Sequence, residues 1–442
     1  MSPFDTVLTQ KLLQRLLPWL DRSAWRIAFS GGLDSTVLLH LLAQLRQRHT
    51  LPPLTAIHVH HGLQAVADAW PEHCRTQCEA LAVPLQIMAV QVQPGASLER
   101  AAREARYAAF EEATGSNELL LTAQHRDDQA ETLLFRLLRG AGVRGLSAMP
   151  ASRALGQGHL LRPLLDVSRD ELERYARDHQ LHWIDDPSNQ DRQFSRNYLR
   201  HQVFPLLTAR WPQAASSLAR SAAHVREARE LLDELALIDL QEAAVGAEFE
   251  WLGLPSLALV PLVGLSQARQ RNALSHWLSQ LTTLPDSDHW AGWQTLRDAA
   301  GDSRPVWRLG QGELQRSAGR VWWLSGCWLQ PVLSASSWVD TAAPLPLPGN
   351  GRLQFIGSAP QGPLQVRYRQ GGEVMQLPGR GHRDLKRLLN EAGLPAFVRG
   401  RLPLLYRGEE LLAVANLPGL DANAHEGWQL HWQPPSSDQG LS

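Results

Sequence analysis

The chain is poor in cysteine, almost without lysine, and free of long apolar runs. Its three cysteines, Cys74, Cys78 and Cys327, are too few for a disulfide framework. Cys74-x3-Cys78 falls on an expected helix with no second pair to complete a zinc or iron–sulfur set, so both read as core thiols. No apolar segment approaches the roughly 18 residues that span a bilayer, and the N-terminus has no basic-then-apolar leader pattern. These absences predict a soluble, cytoplasmic protein with no membrane partner. An excess of one charge is missing too: 43 Lys+Arg face 44 Asp+Glu, for a net charge of −1. A globally basic nucleic-acid binder is therefore not indicated, and local patches must carry any such role. Lys11 and Lys386 are the only lysines. The other basic residues are Arg, whose planar fork suits phosphate, although a composition bias of the genome explains the same count. The 442 residues leave room for two to four domains.

What is present centres on Ile27-Ala28-Phe29-Ser30-Gly31-Gly32-Leu33-Asp34-Ser35-Thr36. Apolar Ile27 to Phe29 read as the end of a buried strand. Gly31 and Gly32 allow a sharp turn and close approach of a ligand. Val37, Leu38, Leu41, Leu42 and Leu45 follow at helical spacing. A strand, a glycine loop and a helix N-terminus together make an anion site. No Lys follows the glycines, as a Walker loop needs, and the G-x-G-x-x-G spacing of a dinucleotide fold is absent. The loop resembles the S-G-G-x-D-S pyrophosphate loop (PP-loop) of N-type ATP pyrophosphatases, which split ATP into AMP and pyrophosphate. The plainer reading is a capped glycine turn in which Asp34 and Ser35 satisfy backbone N–H groups.

Along the chain, strands alternate with helices. Helix is expected over 6–20, strand over Leu54–Val59, helix over Asp68–Leu81 and strand over Leu85–Val92. A helix capped by Ser97, a strand over Leu119–Ala123 and a helix over Asp127–Leu138 follow. The pattern predicts an α/β, Rossmann-like parallel sheet covered on both faces. Ligands bind such sheets at the carboxyl ends of the strands, where Ser30–Ser35, His60-His61-Gly62 and His125–Asp128 all fall. Ser168-Arg169-Asp170-Glu171 is a capping-box start. A long helical stretch is expected from Pro212 to Ala244. We place a catalytic domain at 1–212, a mainly helical, Trp-rich middle domain at 213–335, and a small α+β domain at 345–434. The last has strands near Leu364–Arg369 and Leu411–Ala415 around a helix over Asp384–Glu391.

Several segments in order resemble one family, bacterial tRNA(Ile)-lysidine synthase. They are Ser30–Ser35, His58-Val59-His60-His61-Gly62-Leu63, Glu99-x3-Arg103-x2-Arg106-Tyr107, Ala123–Thr132, and Arg139-Gly140-Ala141-Gly142. Arg162–Leu165, Asp186–Asn189, Arg196-Asn197-x2-Arg200 and Asp384–Leu389 continue the set. The resemblance implies ligation of free L-lysine, through its ε-amine, to C2 of the wobble cytidine in a tRNA(Ile) with a CAU anticodon. ATP first adenylylates the cytosine O2, and lysine then displaces AMP. It also implies that Ser30, Gly31, Gly32, Leu33, Asp34 and Ser35 bind ATP phosphates, with Asp34 helping a Mg²⁺ ion. Asp128 and Glu131, three apart on a helix start, would receive the lysine; their plainer role is compensation of the helix dipole. Arg106, more than Arg103, would contact AMP or the cytidine, against a solvated face paired with Glu99 and Glu112.

His60, His61 and His125 share no metal spacing and read as orienting contacts at the sheet edge. Arg139, Arg196, Asn197 and Arg200 support the site or touch tRNA. Arg192 to Arg229, and Arg380, Arg383, Lys386 and Arg387, are candidate tRNA surfaces. The family also implies a homodimer. Rivals are a PP-loop thiolase, which needs reactive cysteines that this loop lacks, an amidotransferase relative, which needs a glutaminase unit, and a non-catalytic tRNA-binding module.

Overall fold

The computed structural model describes residues 3–62, 65–92, 98–191, 193–246, 248–286, 288–300, 303–332, 336–379, 381–420 and 427–436. Ser97, Leu63, Arg192 and Arg380, singled out above, lie outside them, as does the side chain of Glu99. Among the described residues no helix is long and apolar enough to cross a membrane. The chain divides into two compact units, Met1–Glu230 and Leu231–Ser442.

The first unit is built on six strands: β1 (Ala24–Ala28), β2 (Leu54–His60), β3 (Leu85–Ala89), β4 (Glu118–Leu121), β5 (Ser152–Leu155) and β6 (Gly158–Leu161). They lie in the order β3-β2-β1-β4-β6-β5. All neighbours are parallel except β5 and β6. β1 is central, with Ile27 level with Ala56 on one side and Leu121 on the other. Trp25 and Ile27 point into the core. Arg26, between them, is held by a two-pronged pair to Glu118 on β4 at 2.9 and 2.8 Å. The chain leaves β1 towards β2 and β3, then returns to β4 on the other side. The gap between the carboxyl ends of β1 and β4 is thus the topological switch point, where such sheets hold ligands.

The helices are α1 (Pro3–Leu16), α2 (Leu33–Arg46), α3 (Trp70–Ala80), α4 (Leu98–Ala113), α5 (Arg126–Leu138), α6 (Val143–Leu146) and α7 (Arg169–Asp178). α2 is buried on nearly every side, not only on the face its leucine spacing marks. Leu8, Leu12 and Leu16 of α1 and Tyr175 of α7 join its leucines in one core. An all-round apolar helix is stable only inside a protein, so the loop ahead of it is anchored to the most deeply packed element. Cys74 and Cys78 on α3 are core thiols, pushed up to about 12 by burial. Ser168 caps α7 by accepting from the Glu171 N–H, and Glu171 reaches back to the Ser168 N–H at 2.7 Å, as expected. α8 (Ser195–Tyr198), a π-type turn (Leu199–Val203) and α9 (Phe204–Arg210) follow before the long α10 (Ala214–Ala244).

In the second unit β7 (Ser256–Ala258), α11 (Leu259–Val263), α12 (Gln267–Leu278) and α13 (Ala291–Asp298) precede β8 (Val306–Leu309), β9 (Gly312–Ser317) and β10 (Arg320–Leu324). These strands form an antiparallel sheet, β7-β10-β9-β8. Trp322 and Trp323 are adjacent on β10, so they point to opposite faces. Trp323 joins the core of α12, α13, Trp293 and Trp307. Trp322 joins the core of the C-terminal region with Trp328, Trp338 and Trp432. That region contains β11 (Ser336–Trp338), β12 (Leu345–Pro346), β13 (Arg352–Ile356), β14 (Leu364–Arg367), β15 (Val374–Leu377), β16 (Gly381–Asp384), α14 (Leu385–Glu391), β17 (Leu404–Arg407), β18 (Glu410–Val414) and β19 (Gln429–Gln433). One strand therefore serves two cores, which ties 231–335 to the C-terminal region.

Candidate active site

The glycine loop is laced by its own side chains. Ser30 and Ser35 hydroxyls lie 3.0 Å apart, Ser35 Oγ donates to the Gly32 carbonyl at 3.0 Å, and Thr36 Oγ1 donates to the same oxygen at 3.0 Å. Gly31 has φ +82°, and a Cβ there would meet Ile184 Cδ1 at 2.8 Å and Cys74 Sγ at 3.1 Å. Backbone and space both require glycine. No side chain caps α2 at Gly32, which leaves first-turn N–H groups and the helix dipole for an anion. Two supports escaped the sequence reading. Ile184 N–H donates to the Gly31 carbonyl at 2.9 Å, strapping the segment after α7 onto the loop. His58, buried on β2, places Nδ1 3.0 Å from the Phe29 carbonyl and 3.4 Å from Cys74 Sγ. Its presence in the His58–Gly62 motif was the available signal.

Asp34, in the first turn of α2, faces α5 across the switch point. Its Oδ1 is buried with no hydrogen-bond partner. Burial pushes its carboxyl above the ordinary value, only partly offset by His125, Arg169 and Arg200. His125, 1% exposed, lies between three acids: Nε2 is 3.7 Å from Asp34 and 3.5 Å from Asp128, and Nδ1 is 3.8 Å from Asp127. Asp127 in turn accepts the Arg169 N–H at the start of α7 at 3.0 Å. Among the described residues no group of three or more His, Cys, Asp or Glu is arranged to hold a metal ion by itself. One orphaned carboxylate oxygen beside an anion loop does suit Mg²⁺, which takes one or two carboxylates and completes its shell with phosphate and water.

Asp128 and Glu131 come together on α5, but not as open acids. Arg196 Nε donates to Glu131 Oε2 at 3.1 Å and its Nη2 to Asp128 Oδ1 at 3.3 Å. Arg200 grips Glu131 through Nε at 2.6 Å and Nη2 at 2.8 Å, and reaches Asp128 Oδ1 at 3.1 Å. Burial raises the Asp128 carboxyl, yet His125, Arg196 and Arg200 outweigh it and hold it below its ordinary value. The two arginines sit four apart, Arg196 in α8 and Arg200 within the π-type turn Leu199–Val203, a feature common at functional sites. Asn197, between them, donates to the carbonyls of Ser188 and Asp191 at 2.9 Å.

The other candidates are more dispersed. His60 Nε2 lies 3.3 Å from Asp68. Arg106 on α4 turns to His61, while Arg103 lies over the Tyr107 ring at 4.9 Å. Arg139, exposed at the end of α5, lies over Phe135 at 5.2 Å. Arg383, Lys386 and Arg387 are exposed in the second unit, Arg387 pairing with Glu391 at 2.9 Å.

Comparison with known proteins agrees with this arrangement in chain order. Residues 5–207 match the family model of a PP-loop domain, 257–322 that of the TilS substrate binding domain, and 364–432 that of the TilS substrate C-terminal domain. The tRNA(Ile)-lysidine synthase of Pseudomonas fluorescens (strain Pf0-1) is 71% identical over 434 residues, 98% of both chains. That of Pseudomonas aeruginosa is 61% identical over 98% of this chain and 99% of its own. That of Coxiella burnetii is 40% identical over 96% and 97%. With the PP-loop, the paired acids and the full length of those relatives all accounted for, the chain belongs to the tRNA(Ile)-lysidine synthase family.

Proposed function

We propose that this protein forms lysidine: it joins the ε-amine of free L-lysine to C2 of the wobble cytidine of CAU-anticodon tRNA(Ile), using ATP. The observation that carries the reading is the meeting of an anion loop and an acid pair at one switch point, in a chain matched end to end by lysidine synthases. In the first step the cytosine O2 attacks the α-phosphorus of ATP and pyrophosphate leaves. Ser30 to Ser35 hold the phosphates, and the N–H groups of the α2 turn meet the charge that builds on the leaving group. Asp34 would hold a Mg²⁺ ion, which would supply further neutralisation of that charge. Arg106 contacts AMP or the cytidine. In the second step the lysine ε-ammonium gives a proton to solvent, the free amine attacks C2, the C2–O2 bond breaks so that AMP leaves carrying the former O2, and the new C–N nitrogen sheds a second proton to solvent. Asp128 and Glu131 receive the lysine ammonium, which shares the pair with Arg196 and Arg200.

The chemistry falls to residues 1–212. Residues 213–335 and 345–434 hold the tRNA, with Arg383, Lys386 and Arg387 at phosphates. The protein acts in the cytoplasm as a homodimer, a state that sedimentation reads directly. The test of function is incubation with ATP, labelled lysine and a CAU-anticodon tRNA(Ile) transcript. Label is expected in the wobble nucleoside with one AMP released per transfer. No transfer under conditions where ATP binds would overturn the reading.

A further inference from the structure

β2 ends at His60, and Gly62, with φ +62°, turns the chain away. His61 is left between the strand end and α4. Arg106 Nε and Nη2 both aim at His61 Nε2, at 3.3 and 3.1 Å. Two donors converge on one ring nitrogen, so Nε2 must offer its lone pair and the ring proton must sit on Nδ1. Nδ1 is buried with no hydrogen-bond partner. A donor left unmatched costs stability, and the arrangement persists because the other nitrogen is engaged. Burial, and next the charge of Arg106, push the imidazole down to about 4, so the ring is neutral at physiological pH.

The contrast with Arg196 and Arg200 gives this pairing its meaning. Those guanidiniums are neutralised by Asp128 and Glu131. Among the described residues no direct ion pair neutralises Arg106; the Asp186 carboxylate acts on it only through space, and its bonded partner is an uncharged ring. A neutral acceptor fixes the direction of the guanidinium without cancelling its charge, and so leaves that charge to act on an anionic ligand. We propose that His61 is a positioning residue of the adenylylation step, which holds Arg106 by a neutral hydrogen bond and keeps its positive charge available to the reacting phosphate. The proposal rests on the reading that Arg106 contacts AMP or the cytidine.

The test uses the full chain with ATP, lysine and the tRNA transcript, with AMP release as the signal. H61F removes the acceptor at similar bulk, and H61Q returns an acceptor oxygen at the reach of Nε2. H61F is expected to lower kcat/KM about 10- to 100-fold, as misplacement of a substrate-orienting group does. H61Q is expected to recover most of that loss. In an R106A background H61F should add less than about 2-fold, since the two residues act as one unit. Thermal melting shows whether each variant is folded, and H61A, which adds no bulk, replaces H61F if the latter does not fold. H61Q as poor as H61F while folded, or a full H61F effect in the R106A background, would overturn the proposal. R106A with the wild-type rate would instead remove the reading of Arg106 on which it stands.

Discussion

Asp34→Asn should make the protein more stable and inactive at once. The carboxylate is buried enough that its ionised form is disfavoured, and its Oδ1 has no hydrogen-bond partner. His125 at 3.7 Å, Arg169 and Arg200 offset that penalty only in part, since the net shift is upward. An acid whose folded pKa lies above its unfolded value costs stability when ionised. The cost is full above the folded pKa and vanishes below the unfolded one. An uncompensated buried acceptor costs about 1–3 kcal/mol, more when charged. The side chain is 30% exposed and has cations nearby, so we expect a gain of about 1 kcal/mol at neutral pH, at the low end of that range. For a unit of this size that is a rise of roughly 2–4 °C in Tm. Melting is followed for both proteins from neutral pH downward, without nucleotide. The gap should shrink as pH falls through the folded pKa, because the wild type then sheds the same charge. AMP release by the variant should be lost, and Mg²⁺-ATP should no longer raise its Tm. A D34N protein that melts at or below the wild type at neutral pH would refute the reasoning.

Gly31→Ala forces a side chain into a left-handed residue, at roughly 1–2 kcal/mol, and against Ile184 and Cys74. A lower Tm with weaker ATP binding is expected, measured by calorimetry, and a variant with unchanged melting would show that the loop relaxes freely. Glu131→Gln removes one of the two carboxylates that Arg196 and Arg200 share, leaving them Asp128 alone. It should cost about 2–3 kcal/mol in urea unfolding, below the ~3–5 kcal/mol of a fully buried pair, because Arg196 and Arg200 are 33% and 27% exposed. The same variant should raise the KM for lysine, and an unchanged KM would free Glu131 from substrate contact. Asp128 and Glu118 are both held below their ordinary values, Glu118 chiefly by its Arg26 hydrogen bonds. Their stabilisation is full above the unfolded pKa and lost as pH falls through the folded one. The urea midpoint should therefore drop below about pH 4, and Glu118→Gln should flatten that slope.

Local features were legible in the sequence and remote pairings were not. The strand–loop–helix of Ile27–Leu45 declares itself because its signals, apolar run, glycines and helical spacing, are contiguous. Even there, leucine spacing marked one face of α2, while α1 and α7 bury the rest. Asp128 and Glu131 are picked out by the family resemblance, and their spacing places them on one helix face, but Arg196 and Arg200 approach from more than sixty residues away, and no periodicity encodes that. His61 and Arg106 were picked out singly for the same reason. In the middle region the apolar runs Val306–Leu309 and Arg320–Leu324 read as strands and are β8 and β10, whereas β7 and β9, of three and six residues, carry no run that marks them.

The Trp322–Trp323 step on β10 bears on how such a chain can vary. A strand whose two faces finish two different interiors acts as a party wall. Removing either indole opens a void on one side and shifts the strand that the other side leans on. The regions joined there should melt together, tolerate insertions in their outer loops, and resist exchange as separate modules. Selection on the grip of one region thereby constrains the other.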